Sequence, residues 1–272
     1  SPLTYDAPPL LRPRTMPPVP FARSRYSVSM RIADNYLNDV NDLLQDDPMR
    51  RNVTSSVERG DPFSDFVHAA IVSRDEFMAL LQTFSERRVT AVATHNASSR
   101  SHMVLSLLIT ETTTGRTSQL QLVDLAGSES YADVEKANRA AEPEVQNERK
   151  RECVAINQSL SVLKRVMEAL AANQHKADVR ARREKTPGKA RRGGRHSSGA
   201  GRGDTRPPWR ESKLTLLLKS SLEADAESES KPKILMICCV PPNSALAKCT
   251  KRAMKFAKEC SKVRRRLPSP PP

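Results

Sequence analysis

Leu122-Val123-Asp124-Leu125-Ala126-Gly127-Ser128-Glu129 ends an apolar run on an acid, a glycine and a second acid in quick succession. Upstream of it stands Asn96-Ala97-Ser98-Ser99-Arg100-Ser101-His102. Both stretches have the residue types of a loop that senses the terminal phosphate of a nucleotide. Hydroxyls and an aspartate suit Mg²⁺ and its waters, and a glycine lets a backbone N–H approach an anion. Arg100 and Glu129 are of opposite charge and able to pair across such a site. Each stretch alone reads equally as a polar turn at a strand end. They gain weight together because Met103–Thr110 and Gln119–Val123, around Thr112-Thr113-Thr114-Gly115-Arg116, predict one hairpin that they flank.

Outward from the hairpin, strands alternate with helices, which argues an α/β fold. Tyr26–Ile32 has the period-two pattern of a strand, and Leu37, Val40 and Leu44 predict a short helix ending near Pro48. Ser73-Arg74-Asp75-Glu76 is a capping box ahead of the stripe Phe77, Leu80, Leu81 and Phe84. Ile156, Leu160, Leu163, Met167 and Leu170 mark a long amphipathic helix, and Leu214, Leu217, Leu218 and Leu222 another. Lys233–Val240 predicts a buried strand. A last helix, capped by Asn243 or Ser244, would bury Leu246, Cys249, Ala253, Phe256 and Cys260. Residues 1–25 and 267–272 are Pro-rich and read as a disordered lead-in and tail.

The 272 residues carry a formal net charge of +14, which calls for an acidic partner: nucleic acid, an anionic membrane or an acidic protein surface. Much of that charge lies in one insert, 173–208, which lacks periodicity. Eleven lysines and arginines against three acids between 173 and 206 supply over half of it. Five cysteines without a C-x-x-C pair and five scattered histidines speak against zinc and predict reduced thiols in an intracellular protein. The start has no signal-peptide pattern, and the longest apolar stretch, Ile234 to Val240, is too short to span a bilayer. A soluble chain without a membrane partner is expected.

Ala155-Ile156-Asn157-Gln158-Ser159-Leu160, Trp209-Arg210-Glu211-Ser212-Lys213-Leu214-Thr215 and Tyr36-Leu37-Asn38-Asp39-Val40-Asn41-Asp42-Leu43-Leu44 stand in a telling order with the two opening stretches. Together they resemble the signatures of a kinesin motor head, with 96–102 as switch I, 122–129 as switch II and Asn157–Leu170 as the relay helix. The resemblance marks 26–266 as a partial motor domain. It implies an α/β, three-layer, P-loop NTPase-like head with a central, mostly parallel sheet, here without its opening strands and P-loop. It also implies ATP and Mg²⁺ as cofactors. Ser98 and Ser99 would reach the γ-phosphate and Mg²⁺, Asp124 would hold a Mg²⁺-bound water, and the Gly127 amide would sense the γ-phosphate. Arg100 and Glu129 would be the gate pair that closes over the site, in a chemistry that rests on positioning and electrostatics. Outside that context such a pair is a surface ion pair worth little.

The same resemblance places Arg210 and Lys213 against tubulin and makes the insert an expanded basic loop. Lys185, Lys189, Arg191, Arg192 and Arg195 would meet the acidic tails of tubulin in microtubules, an attraction screened over about 10 Å at 0.1 M salt. The plainer reading of these charges is a solvated linker. Arg191-Arg192-Gly193-Gly194-Arg195 also invites RNA, but no aromatics are interleaved for base stacking. A cytoplasmic, microtubule-associated location follows from the family.

The sequence also departs from that family. G-x-x-x-x-G-K-[ST] occurs nowhere, and the single Gly-Lys pair, Gly188-Lys189, is followed by Ala190. One residue separates Asn96 from Ser98 where the family usually has two. Glu223-Ala224-Asp225 replaces the family's Gly-Gly-Asn, and Ser130–Asn147 lacks its glycine-rich pattern. The chain opens on Ser rather than Met, as an N-terminally truncated sequence would. The expectation is a piece of a motor head whose intact parent is a microtubule-stimulated ATPase, while this chain alone binds ATP weakly or not at all. The alternatives are a degenerate kinesin fold that binds microtubules regardless of nucleotide, and a basic RNA-binding module.

Overall fold

The computed structural model describes residues 25–45, 61–90, 100–137, 139, 141–184, 205–223, 233–240 and 247–263. Residues 1–24 of the expected lead-in, the tail from 267, and Asn243, Ser244 and Leu246 lie outside them. Its sheet runs β2 (Asp39–Asp42), β1 (Tyr26–Tyr36), β4 (Ser101–Glu111), β5 (Thr117–Asp124), with β3 (Ala69–Ile71) also paired to β1. Every pairing among the described strands is antiparallel, not mostly parallel as expected. Tight turns account for the β1–β2 and β4–β5 pairs, since a parallel pair needs a crossover of a dozen or so residues; Gly115 takes φ +68° in the β4–β5 turn.

Side chains alternate across the sheet, so neighbouring residues of β1 and β4 enter different cores. Met30, Ile32 and Leu105 face α1 (Arg74–Thr90), packing with Phe84, Phe77, Leu80 and Leu81. Ala33 and Val104 face the opposite layer, built from α3 (Pro143–Glu184), α4 (Lys213–Leu222) and α5 (Ala247–Cys260). Leu163, Val166, Met167, Trp209, Leu214, Leu217 and Cys260 meet there. Helix, sheet and helices form the three layers of an α/β fold. Leu214 and Leu217 are fully buried, each contributing about 1.5–3 kcal/mol relative to exposure.

Local signals explain the helix ends. The Glu76 N–H donates to Ser73 Oγ at 3.1 Å, and the Glu76 carboxylate accepts from the Val72 N–H at 3.0 Å, one residue earlier than the usual reciprocal bond. Pro143 opens α3 at the position where its missing N–H costs nothing. That helix is far longer than the predicted relay and runs on through 173–184, the first part of the supposed unstructured insert. Ala171, Ala172, Gln174, Lys176 and Ala177 are strong helix formers, which carry it past its packed stripe. Asn173 then grips the far side of the insert. Its amide donates to Thr205 O at 2.8 Å and accepts from the Thr205 N–H at 2.7 Å.

Two further expectations fail. The short helix at Leu37–Leu44 is instead a hairpin, with Leu37 at φ +53° and β2 returning along β1. Asp42 pins the chain beyond that hairpin, its carboxylate accepting from the Leu44 N–H at 3.0 Å and the Val67 N–H at 2.8 Å. Lys233–Val240 is neither a strand nor buried, and Leu235 is 84% exposed. Its composition suits a strand, yet it pairs with none of the described strands, although β5 ends their order with an open edge.

Candidate functional site

The β4–β5 register sets Met103 opposite Asp124, which brings Arg100–His102 beside the loop Leu125–Glu129 at the open end of the hairpin. His102 is buried there and joins three elements. The Ala126 N–H donates to His102 Nδ1 at 3.1 Å, and His102 Nε2 lies 2.7 Å from Ser159 Oγ on α3. Because a backbone amide can only donate, Nδ1 accepts and the ring proton sits on Nε2. Nε2–H therefore donates to Ser159, whose own hydroxyl donates to Ile156 O at 2.7 Å. The imidazole is neutral and its tautomer is set by its neighbours.

Arg100 does not meet Glu129 in this structure. Its Nη1 donates to Glu152 Oε2 at 2.8 Å, and Tyr36 Oη donates to Glu152 Oε1 at 2.8 Å. The Glu152 side chain is 2% exposed, and burial together with that carboxylate pushes the Tyr36 phenol well above its ordinary range. Neither Glu152 nor Tyr36 stands out in the sequence as a site residue. Glu152 precedes the predicted relay helix and is one ordinary acid among thirty-one.

Glu129 is held by its backbone. Its carbonyl accepts from Asn157 Nδ2 at 2.8 Å and from the Cys153 thiol at 3.6 Å. Burial raises the Cys153 thiol above its usual value. The Glu129 carboxylate folds back on Gly127, where a Cβ would lie 2.5 Å from both of its oxygens. Below this loop, α2 (Tyr131–Ala137) is tied to α5 through Asp133, which accepts from Ser130 Oγ at 2.6 Å and Arg252 Nη2 at 2.9 Å.

Residues 14–263 match the sequence profile of the kinesin motor domain. The chain belongs to the kinesin motor domain family. Kinesin-like protein KIF15 of Strongylocentrotus purpuratus is 29% identical over 238 residues, 85% of this chain but 14% of that protein. The motor domain of the Kar3-like kinesin from Ashbya gossypii superposes with a TM-score of 0.53 at 27% identity, covering 87% of this chain and 59% of that one. Drosophila NOD, docked with bovine tubulin into a map of its microtubule complex, shares the fold at a TM-score of 0.53 and 17% identity, over 88% and 56%. The chain thus spans under two thirds of these relatives. Kinesins are a family of microtubule-based motors, and among the described residues no helix is long and apolar enough to cross a membrane.

The other expected kinesin residues divide in two. Asn96, Ser98, Ser99, Lys185, Lys189, Arg191, Arg192 and Arg195 lie outside the described residues. Asp124 is exposed at the end of β5, and Gly127 is half-buried. Arg210 is exposed in a single 3₁₀ turn, Trp209–Glu211, and Lys213 opens α4. Arg165 of α3 ion-pairs with Glu211, one contact measuring 3.2 Å, and so braces that turn against α3.

Ser98 and Ser99, the expected contacts to the γ-phosphate and Mg²⁺, lie outside the described residues. No three His, Cys, Asp or Glu side chains among them converge on a metal position. The Glu129 carboxylate lies against Gly127, at the glycine expected to face a phosphate. No hydrolytic step is therefore derived through the nucleotide.

Proposed function

We propose that this chain is the microtubule-binding part of a kinesin motor head, and that it binds microtubules with little dependence on nucleotide. ATP-driven movement, and ATPase activity with ATP and Mg²⁺, would belong to a protein that also carries a phosphate cradle. The observation that carries the reading is the kinesin match over 14–263 in a sequence without G-x-x-x-x-G-K-[ST]. The partner surface would be Arg210 and Lys213 with the basic loop of Lys185, Lys189, Arg191, Arg192 and Arg195, and the Asn173–Thr205 bonds tie the chain after that loop to α3. In that reading Ser98, Ser99, Asp124 and Gly127 are the phosphate-sensing positions, and Arg100 and Glu129 the gate pair. The protein would work in the cytoplasm on the microtubule cytoskeleton.

Co-sedimentation with microtubules tests this. Binding is expected without nucleotide, weakened by cleaving tubulin's acidic tails and by salt rising above about 0.1 M. Absence of binding at low salt, or its displacement by an RNA competitor, overturns the reading in favour of a basic RNA-binding module. Isothermal titration with MgATP is expected to show no micromolar site, and finding one would restore nucleotide-dependent motor action to this chain.

A further inference from the structure

We propose that Glu152 is the resting partner that withholds Arg100 from Glu129, so that the gate is set by competition between a buried and an exposed carboxylate. The competition rests on the reading of Arg100 and Glu129 as a gate pair; the resting bond to Glu152 does not.

Burial decides which acid holds the arginine. Side-chain exposure is 17% for Arg100 and 2% for Glu152, whereas Glu129 is exposed. An ion pair with an exposed acid is weakened by water and salt, while parting a buried pair leaves an uncompensated charge. Glu152 is also held in position. One oxygen takes Arg100 and the other takes the Tyr36 hydroxyl, each at 2.8 Å, so both sides of the carboxylate are engaged by strong donors. Tyr36 cannot drift, because the β1–β4 register pairs it with Ser101, the residue after Arg100.

Glu129 is anchored close by. Its carbonyl is bonded by Cys153 and Asn157 of the same helix stretch that carries Glu152, and its carboxylate is turned onto Gly127. The same stretch of α3 therefore anchors both acids. Glu152 acts as a positioning residue: it touches Arg100 and nothing that reacts.

The test uses the nucleotide-free chain and NMR of the Arg100 guanidinium, assigned by its loss in Arg100→Lys. Slow rotation about Nε–Cζ is expected in the native chain and in Glu129→Gln. In Glu152→Gln rotation should quicken about tenfold, the worth of one charge-assisted bond, and Glu129→Gln added to it should quicken it further. Tyr36→Phe, which keeps both charges, should give an intermediate rate and serves if Glu152→Gln does not fold by Trp209 fluorescence. Unchanged rotation in Glu152→Gln and Tyr36→Phe, or loss of the slow signal in Glu129→Gln alone, overturns the proposal. Release by Glu152→Gln with no further effect of Glu129→Gln confirms the resting bond and overturns the gate reading instead.

Discussion

His102 Nε2 lies 2.7 Å from Ser159 Oγ, and this one bond ties β4 to α3. The imidazole's other nitrogen holds the loop backbone at Ala126, so β4, that loop and α3 share a single ring. Ser159→Ala removes the hydroxyl and leaves a buried Nε2–H without that acceptor. A loss of about 1–3 kcal/mol is expected, read from urea unfolding followed by Trp209 fluorescence. Hydrogen exchange at the Ala126 amide should quicken well beyond the global change; equal quickening everywhere would show that Ser159 only supports packing.

The three atoms nearest to a Cβ added at Gly127 all belong to the flexible, exposed Glu129 side chain. Gly127→Ala should displace the Glu129 carboxylate and leave stability within about 0.5 kcal/mol, as for substitutions that avoid core and backbone strain. A larger loss by denaturant titration would mean that the loop backbone itself is fixed at this residue.

Ser73 caps α1, whose apolar stripe closes one face of the sheet. Ser73→Ala is expected to cost about 1 kcal/mol, and Ser73→Asp to recover most of it. Paired thermal melts of the two variants check this, with an equal loss in both arguing that the hydroxyl has another role.

Alkaline pH should unfold this protein through Cys260. Burial first, then Glu259 and Glu168, push its thiol from 9.0 up to about 11. The folded state then holds the proton more tightly than the unfolded one. The associated stability is complete below the unfolded value and is lost as pH rises through the folded one. Urea midpoints measured across that window should fall, and Cys260→Ala should flatten the fall. Thiol labelling gives an independent check: exposed Cys238 and Cys239 should react about tenfold or more faster than buried Cys153 and Cys260. Equal rates would remove the basis for the alkaline effect.

The hairpin, the capped α1 and the stripe of α3 are legible in sequence because each is a short-range pattern. Residues that alternate, cap or recur on one face declare themselves within a few positions. Leu37–Leu44 misleads for the same reason: its apolar spacing suits a helix turn, and only the partner β1 makes it a returning strand. Lys233–Val240 has a buried composition, but composition does not supply a neighbour. The family, too, is legible in the order of its signatures.

What sequence could not supply was the pairing of charges. The segments 96–102 and 122–129, flanking one predicted hairpin, place Arg100 and Glu129 at one end of it. The choice of Glu152 over Glu129 is a tertiary decision, taken because the fold buries one acid against Tyr36 and leaves the other in water. Spacing along the chain carries no record of that difference in solvation, and solvation sets which ion pair persists.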